Sequence, residues 1–77
     1  GFIWVYLKEQ RKEADLEKPL VLKQGDNVEK VCEKIHKDFL QKFRYAKIKG
    51  SSAKFKWQRV GLDHIVHDKD IVELYVK

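Results

Sequence analysis

Asn27-Val28-Glu29-Lys30-Val31-Cys32-Glu33-Lys34-Ile35-His36-Lys37-Asp38 is the stretch on which the fold turns. Val28, Val31, Cys32, Ile35 and, beyond them, Phe39 recur at intervals of three and four, which sets them on one apolar stripe of an amphipathic helix. Glu29, Lys30, Glu33, Lys34 and Lys37 occupy the opposite face, with Lys30–Glu33 and Glu33–Lys37 at ion-pair spacing. Asn27 has the side chain of an N-cap, and Glu29 places a negative charge in the first turn, where the helix dipole favours it.

Strand-like segments flank this helix. Phe2 to Lys8 is rich in β-branched and aromatic residues. Glu9 to Lys18 is nearly all polar and reads as a long hairpin loop or a short helical turn. Pro19 then opens a strand, Leu20 to Lys23, in a position suited to a sheet edge, where no ladder donor is needed. After the helix, Arg44 to Lys49 alternates as a strand, and Gly50-Ser51-Ser52 breaks it. Lys54 to Val60 reads as a weak charged strand or extended loop, Gly61 to His64 as a turn, and Ile71 to Val76 as the last strand. The order β-β-α-β-β-β, with one helix able to cover one sheet face, gives an α+β fold with a mixed sheet of four to five strands.

Charge is distributed unevenly. The net charge is +5, yet no acidic residue stands between Phe39 and Leu62, a stretch that carries Lys42, Arg44, Lys47, Lys49, Lys54, Lys56 and Arg59. If Ile3, Val5, Leu20, Leu22, Ala46, Ile48, Val72 and Leu74 face the helix, alternation turns Trp4, Tyr6, Tyr45, Lys47, Lys49 and Tyr75 outward together. Aromatic rings beside lysines suit RNA, whose bases stack and whose phosphates attract cations. The competing readings are a solvated basic face, or a surface that packs on another protein.

Other features narrow the function. A chain of 77 residues makes one domain with a small core. The single cysteine excludes an internal disulfide and fits a cytoplasmic setting, and no apolar run is long enough to span a bilayer. Cys32 and His36 have the spacing of two metal ligands on a helix, but zinc needs two more, and Cys32 falls in the apolar stripe. His64 and His67 lie near Asp63, Asp68 and Asp70 without an accompanying nucleophile or pocket, which points to turn capping and not to catalysis. No phosphate-cradling G-x-x-x-x-G-K-[ST] loop is present, so neither a cofactor nor a metal is expected in this chain.

The run from Asn27 to Asp38 resembles the helix of TGS domains, where a capping residue and Val-Glu lead to Lys-Ile-His-Lys, here Lys34 to Lys37. Phe43-Arg44-Tyr45-Ala46 resembles the next strand of that family, and Gln58 to His64 followed by Asp68 to Leu74 resembles its closing segment. Lys69 stands where the family usually has the glycine of an Asp-Gly-Asp turn. Val60-Gly61-Leu62-Asp63-His64 is most similar to the developmentally regulated GTP-binding proteins, the DRG family. The resemblance implies a ubiquitin-like β-grasp over residues 1–77, excised from the C-terminal part of a larger GTPase whose own domain holds GTP and magnesium. It also implies contact with RNA, the ribosome, the parent GTPase domain or a regulatory protein, and it gives His36 and His64 roles in fixing local structure.

Overall fold

Seven elements follow one another in the computed structural model, which describes residues 1–10 and 13–77. They are β1 (Phe2–Lys8), β2 (Leu20–Lys23), α1 (Val28–Ile35), α2 (Asp38–Lys42), β3 (Phe43–Lys49), β4 (Gln58–Val60) and β5 (Ile71–Val76). The strands form one five-stranded sheet in the order β2-β1-β5-β3-β4. β1 pairs antiparallel with β2 through Phe2 to Val5 and parallel with β5 through Tyr6 to Lys8, so it joins the two halves of the sheet. β3 lies antiparallel to both β5 and β4. Pro19 precedes an edge strand, as its missing N–H requires. The expected loop from 9 to 18 connects β1 and β2; it includes residues 11 and 12, which lie outside the described residues.

The core forms where the inner sheet face meets α1. Ile3, Val5, Leu22, Ala46, Ile48, Val66, Val72 and Leu74 meet Val28, Val31 and Cys32, all buried. Full burial of side chains such as Leu22 and Ile48 stabilises the fold by roughly 1.5–3 kcal/mol each.

The start of α1 is satisfied in a way that explains the closing motif. Asn27 Oδ1 accepts from Lys30 N at 3.1 Å, as an N-cap does. Val28 N and Glu29 N donate to the carbonyls of His64 and Leu62, each at 3.0 Å. The Gly61–His64 turn therefore accepts helix donors that have no partner within the helix.

The structure corrects the helix at its other end. The stripe does not run unbroken to Phe39: α1 stops at Ile35, and His36 is extended at φ −169° and ψ 141°. The His36 N–H still donates to Cys32 O, and its Nδ1 accepts from Asp38 N at 3.1 Å, which starts the short α2 that carries Phe39. Lys37 thus lies beyond the helix, and the expected Glu33–Lys37 spacing is lost, whereas Lys30 Nζ does reach Glu33 Oε2 at 3.2 Å. Lys54 to Val60, expected as a weak strand or extended loop, is strand at Gln58–Val60 and bend and turn before it.

Candidate nucleic-acid interface

Alternation along the strands puts the residues expected to face outward on the sheet surface opposite α1. Trp4, Tyr6, Tyr45, Lys47, Lys49 and Tyr75 all leave the core to their neighbours, and Arg59 joins them opposite Lys47. Of the other basic candidates, Lys42 ends α2, and Lys54 and Lys56 are exposed in the turn before β4. Arg44 is the extra residue of a bulge, where Phe43 pairs with Val76 and Tyr45 with the adjacent Tyr75. The bulge lets Phe43 and Ala46 both face the core while Arg44 stays exposed. The acid-free stretch therefore does not form one patch. Its sheet residues gather on the outer face, and the other cations are distributed around it.

The aromatic rings on this face are already ordered. Tyr45 and Tyr75 stack with centroids 4.5 Å apart and planes 16° from parallel. The Arg59 guanidinium lies 3.9 Å from the Tyr45 centroid, extending the stack by one planar cation. Lys47 Nζ sits 5.3 Å from the Tyr75 ring. Across the sheet, Lys8 on β1 aligns with Glu73 on β5, which aligns with Lys47 on β3. Glu73 is buried on this otherwise basic surface because Lys8 forms an ion pair with it and the Tyr75 hydroxyl donates to it at 2.9 Å. That hydrogen bond stabilises the neutral phenol and raises the Tyr75 pKa above its ordinary value.

Two participants escaped the sequence reading. Lys8 was hidden by the need to know that β1 and β5 are neighbours. Trp57 lies in a polar stretch with no periodicity, yet its indole is 5.6 Å from Lys8 Nζ and 6.0 Å from Lys49 Nζ. Since β5 runs between β1 and β3, a ring close to both lysines lies above β5. Trp57 reaches this position with φ at +62°, a left-handed backbone that costs a bulky side chain about 1–2 kcal/mol.

A separate apolar area occupies the β1–β2 end of the same face, where Phe2 is 72%, Trp4 54% and Val21 46% exposed. Trp4 pairs with Val21 and stands apart from the tyrosine–arginine stack, so the expected single cluster of aromatics is two clusters.

The histidine and aspartate cluster has a structural arrangement. Asp70 is fully buried and accepts from Ser52 Oγ at 2.5 Å and from His67 N at 2.8 Å. With its proton directed to Asp70, Ser52 Oγ accepts from His64 Nε2 at 2.9 Å, which assigns the proton of that ring to Nε2. Serine stands between histidine and aspartate here, whereas nucleophilic catalysis needs the histidine between them. His64 thus ties the turn that accepts the α1 donors to the Ser51–Ser52 turn. His67 Nδ1 lies 3.1 Å from Ser51 Oγ, and Asp68 Oδ1 accepts from Trp4 N at 2.7 Å. Cys32 is buried while His36 is exposed beyond the helix, so the two do not converge. Among the described residues no group of three His, Cys, Asp or Glu could hold a metal ion, and no helix is long and apolar enough to cross a membrane.

A mixed sheet grasping one main helix is the arrangement expected from the residues at 27–38 and 58–74, and the structure adds that the closing turn caps that helix. A family model for the TGS domain matches residues 3–76. The chain belongs to the TGS domain family. This TGS domain therefore has the ubiquitin-like β-grasp fold. It is 52% identical over 77 residues, all of its length, to an uncharacterized GTP-binding protein of Methanocaldococcus jannaschii. It is 42% identical over 74 residues to developmentally-regulated G-protein 3 of Arabidopsis thaliana and 34% identical over 73 residues to developmentally-regulated GTP-binding protein 2 of Homo sapiens, each match covering 95% of the domain. The domain spans 20% of the length of each of these relatives.

Proposed function

We propose that this TGS domain is a non-catalytic accessory domain of a DRG-type GTP-binding protein and that it contacts RNA, on the ribosome or elsewhere, through the outer face of its sheet. One observation carries the proposal: Lys47, Lys49 and Arg59 share a sheet face with Tyr45, Tyr75 and Trp57, and the face's acid, Glu73, is covered by Lys8 and Tyr75. Cations for phosphates beside planar groups for bases are the two elements of RNA recognition. Binding and hydrolysis of GTP, with magnesium, belong to the remainder of the parent protein in this reading, and the setting is the cytoplasm.

The test is co-sedimentation of the whole parent GTPase with ribosomes, with and without this domain. Loss of co-sedimentation on deletion, reproduced by Lys47→Gln with Lys49→Gln in the intact protein, supports the reading. Equal co-sedimentation of all forms contradicts contact on the ribosome, and absence of RNA binding at low salt contradicts the reading as a whole.

A second reading has its own observation in the exposed Phe2, Trp4 and Val21. This apolar end docks on the parent GTPase domain or on a regulatory protein, leaving the basic end for RNA. Tryptophan emission that stays unchanged on adding the GTPase domain or the regulator argues against docking there.

A further inference from the structure

The planar groups on the outer face are more selective than its charge. A double helix keeps its bases stacked inside and offers a protein mainly phosphates and 2′-hydroxyls, whereas a single strand also presents the faces of its bases. Lysines serve both ligands equally. Exposed rings and guanidinium planes serve the single strand.

The structure shows which planes remain available. Tyr45 is flanked by Tyr75 from β5 and by Arg59 from β4, so its ring offers no vacant position. On the β4 side that column ends in the Arg59 guanidinium, whose central carbon lies 3.9 Å from the Tyr45 centroid. Two residues earlier, Trp57 is turned over β5 by its positive φ, and its half-buried indole is flanked by Lys8 and Lys49. Lys49 is thus near Trp57 for a phosphate next to the base it receives, while Lys8 stays on Glu73. No acid lies between Phe39 and Leu62 to repel the chain that would connect the two bases.

We propose that the TGS domain selects single-stranded over double-stranded RNA, with Trp57 and Arg59 each stacking one base and Lys49 contacting a phosphate beside Trp57. This rests on the RNA reading above and adds the form of the RNA and the residues that distinguish it.

The experiment titrates the domain into a labelled unstructured oligonucleotide and into a blunt duplex of the same length, at low salt. The single strand is expected to bind roughly tenfold tighter or more. Trp57→Ala should weaken single-strand binding by roughly 5- to 100-fold, the range for loss of one stacked base, and leave duplex binding nearly unchanged. Trp57→Phe, which retains a ring, should recover most of the loss, and this separates stacking from any disturbance of the turn. Arg59→Lys keeps the charge but removes the plane and should also reduce single-strand binding selectively. Equal affinity for the two forms, or Trp57→Ala weakening both alike, overturns this inference while leaving RNA contact standing. Failure to bind either form overturns both.

Discussion

Gly50 and Asp70 are packed so closely that a Cβ at position 50 would fall 2.9 Å from the Asp70 Cα and press harder still on its carboxylate. Gly50 also has φ at +152°, which L side chains rarely adopt. The contact matters because Asp70 is the buried acceptor that holds Ser52 and the His67 backbone, and through Ser52 the His64 turn over α1. Gly50→Ala is expected to destabilise the domain by about 2–4 kcal/mol, combining backbone strain with displacement of a hydrogen-bonded carboxylate. Asp70→Ala should cost a comparable amount by leaving buried donors unsatisfied. Urea unfolding of both variants checks this, and a loss below about 0.5 kcal/mol in either would show that the network does little for stability.

Lys69 occupies the third position of the His67–Asp70 turn with φ at +70°, and Asp70 N donates to His67 O at 3.1 Å. A positive φ at that position is the requirement of a type II turn, which glycine meets without strain. Lys69→Gly should therefore stabilise the domain by about 0.5–1 kcal/mol, the relief of strain exceeding the added freedom of the unfolded chain. Thermal melts provide the measurement, with an expected rise of roughly 2–8 °C. An unchanged or lower midpoint would mean that Lys69 is not strained.

This turn also shows what was legible beforehand. The departure from the family's usual glycine at Lys69 was visible, but its left-handed backbone was not, because a lysine carries no signal for one. Alternation in β3 and β5 separated Ala46, Ile48, Val72 and Leu74 from the outer face correctly, because each strand buries one side and a shift by one residue would invert it; β1 is apolar on both sides, so Ile3 and Val5 could be set inward only as a condition. The break at His36 was hidden because neither glycine nor proline marks it; it depends on His36 accepting from the Asp38 backbone. Trp57 was missed because its left-handed backbone has no glycine or asparagine signature. The Lys8–Glu73 pair and the Ser52–Asp70 network were missed because their partners are distant in sequence and meet through strand order.

The Cys32 thiol faces the core, and burial, reinforced by the negative charges of Glu29 and Glu33, pushes its pKa up to about 11. An unfolded chain ionises this thiol near 8.5. The stability linked to the raised value is full below the unfolded pKa and is lost as pH climbs through the folded one, so the domain should weaken progressively above about pH 9. Thiol labelling at neutral pH should be slow in the native domain and immediate in denaturant. Rapid labelling of the folded protein would show that Cys32 is accessible.

The central claim is that the outer sheet face binds RNA through its cations, and the most direct measurement is the affinity of the 77-residue domain for RNA over a range of salt. Counterion release makes the logarithm of affinity fall linearly with the logarithm of salt, by about 0.7 per neutralised phosphate on a single strand. Lys47→Gln with Lys49→Gln, chosen because reversal at Lys47 would set an acid against Glu73, should leave the melting midpoint nearly unchanged. Binding at low salt should weaken steeply with added salt, and the double variant should bind at least tenfold more weakly with a slope shallower by about 1.4, two contacts' worth. Absence of binding at low salt, or an affinity and slope untouched by removing both lysine charges, would contradict the claim.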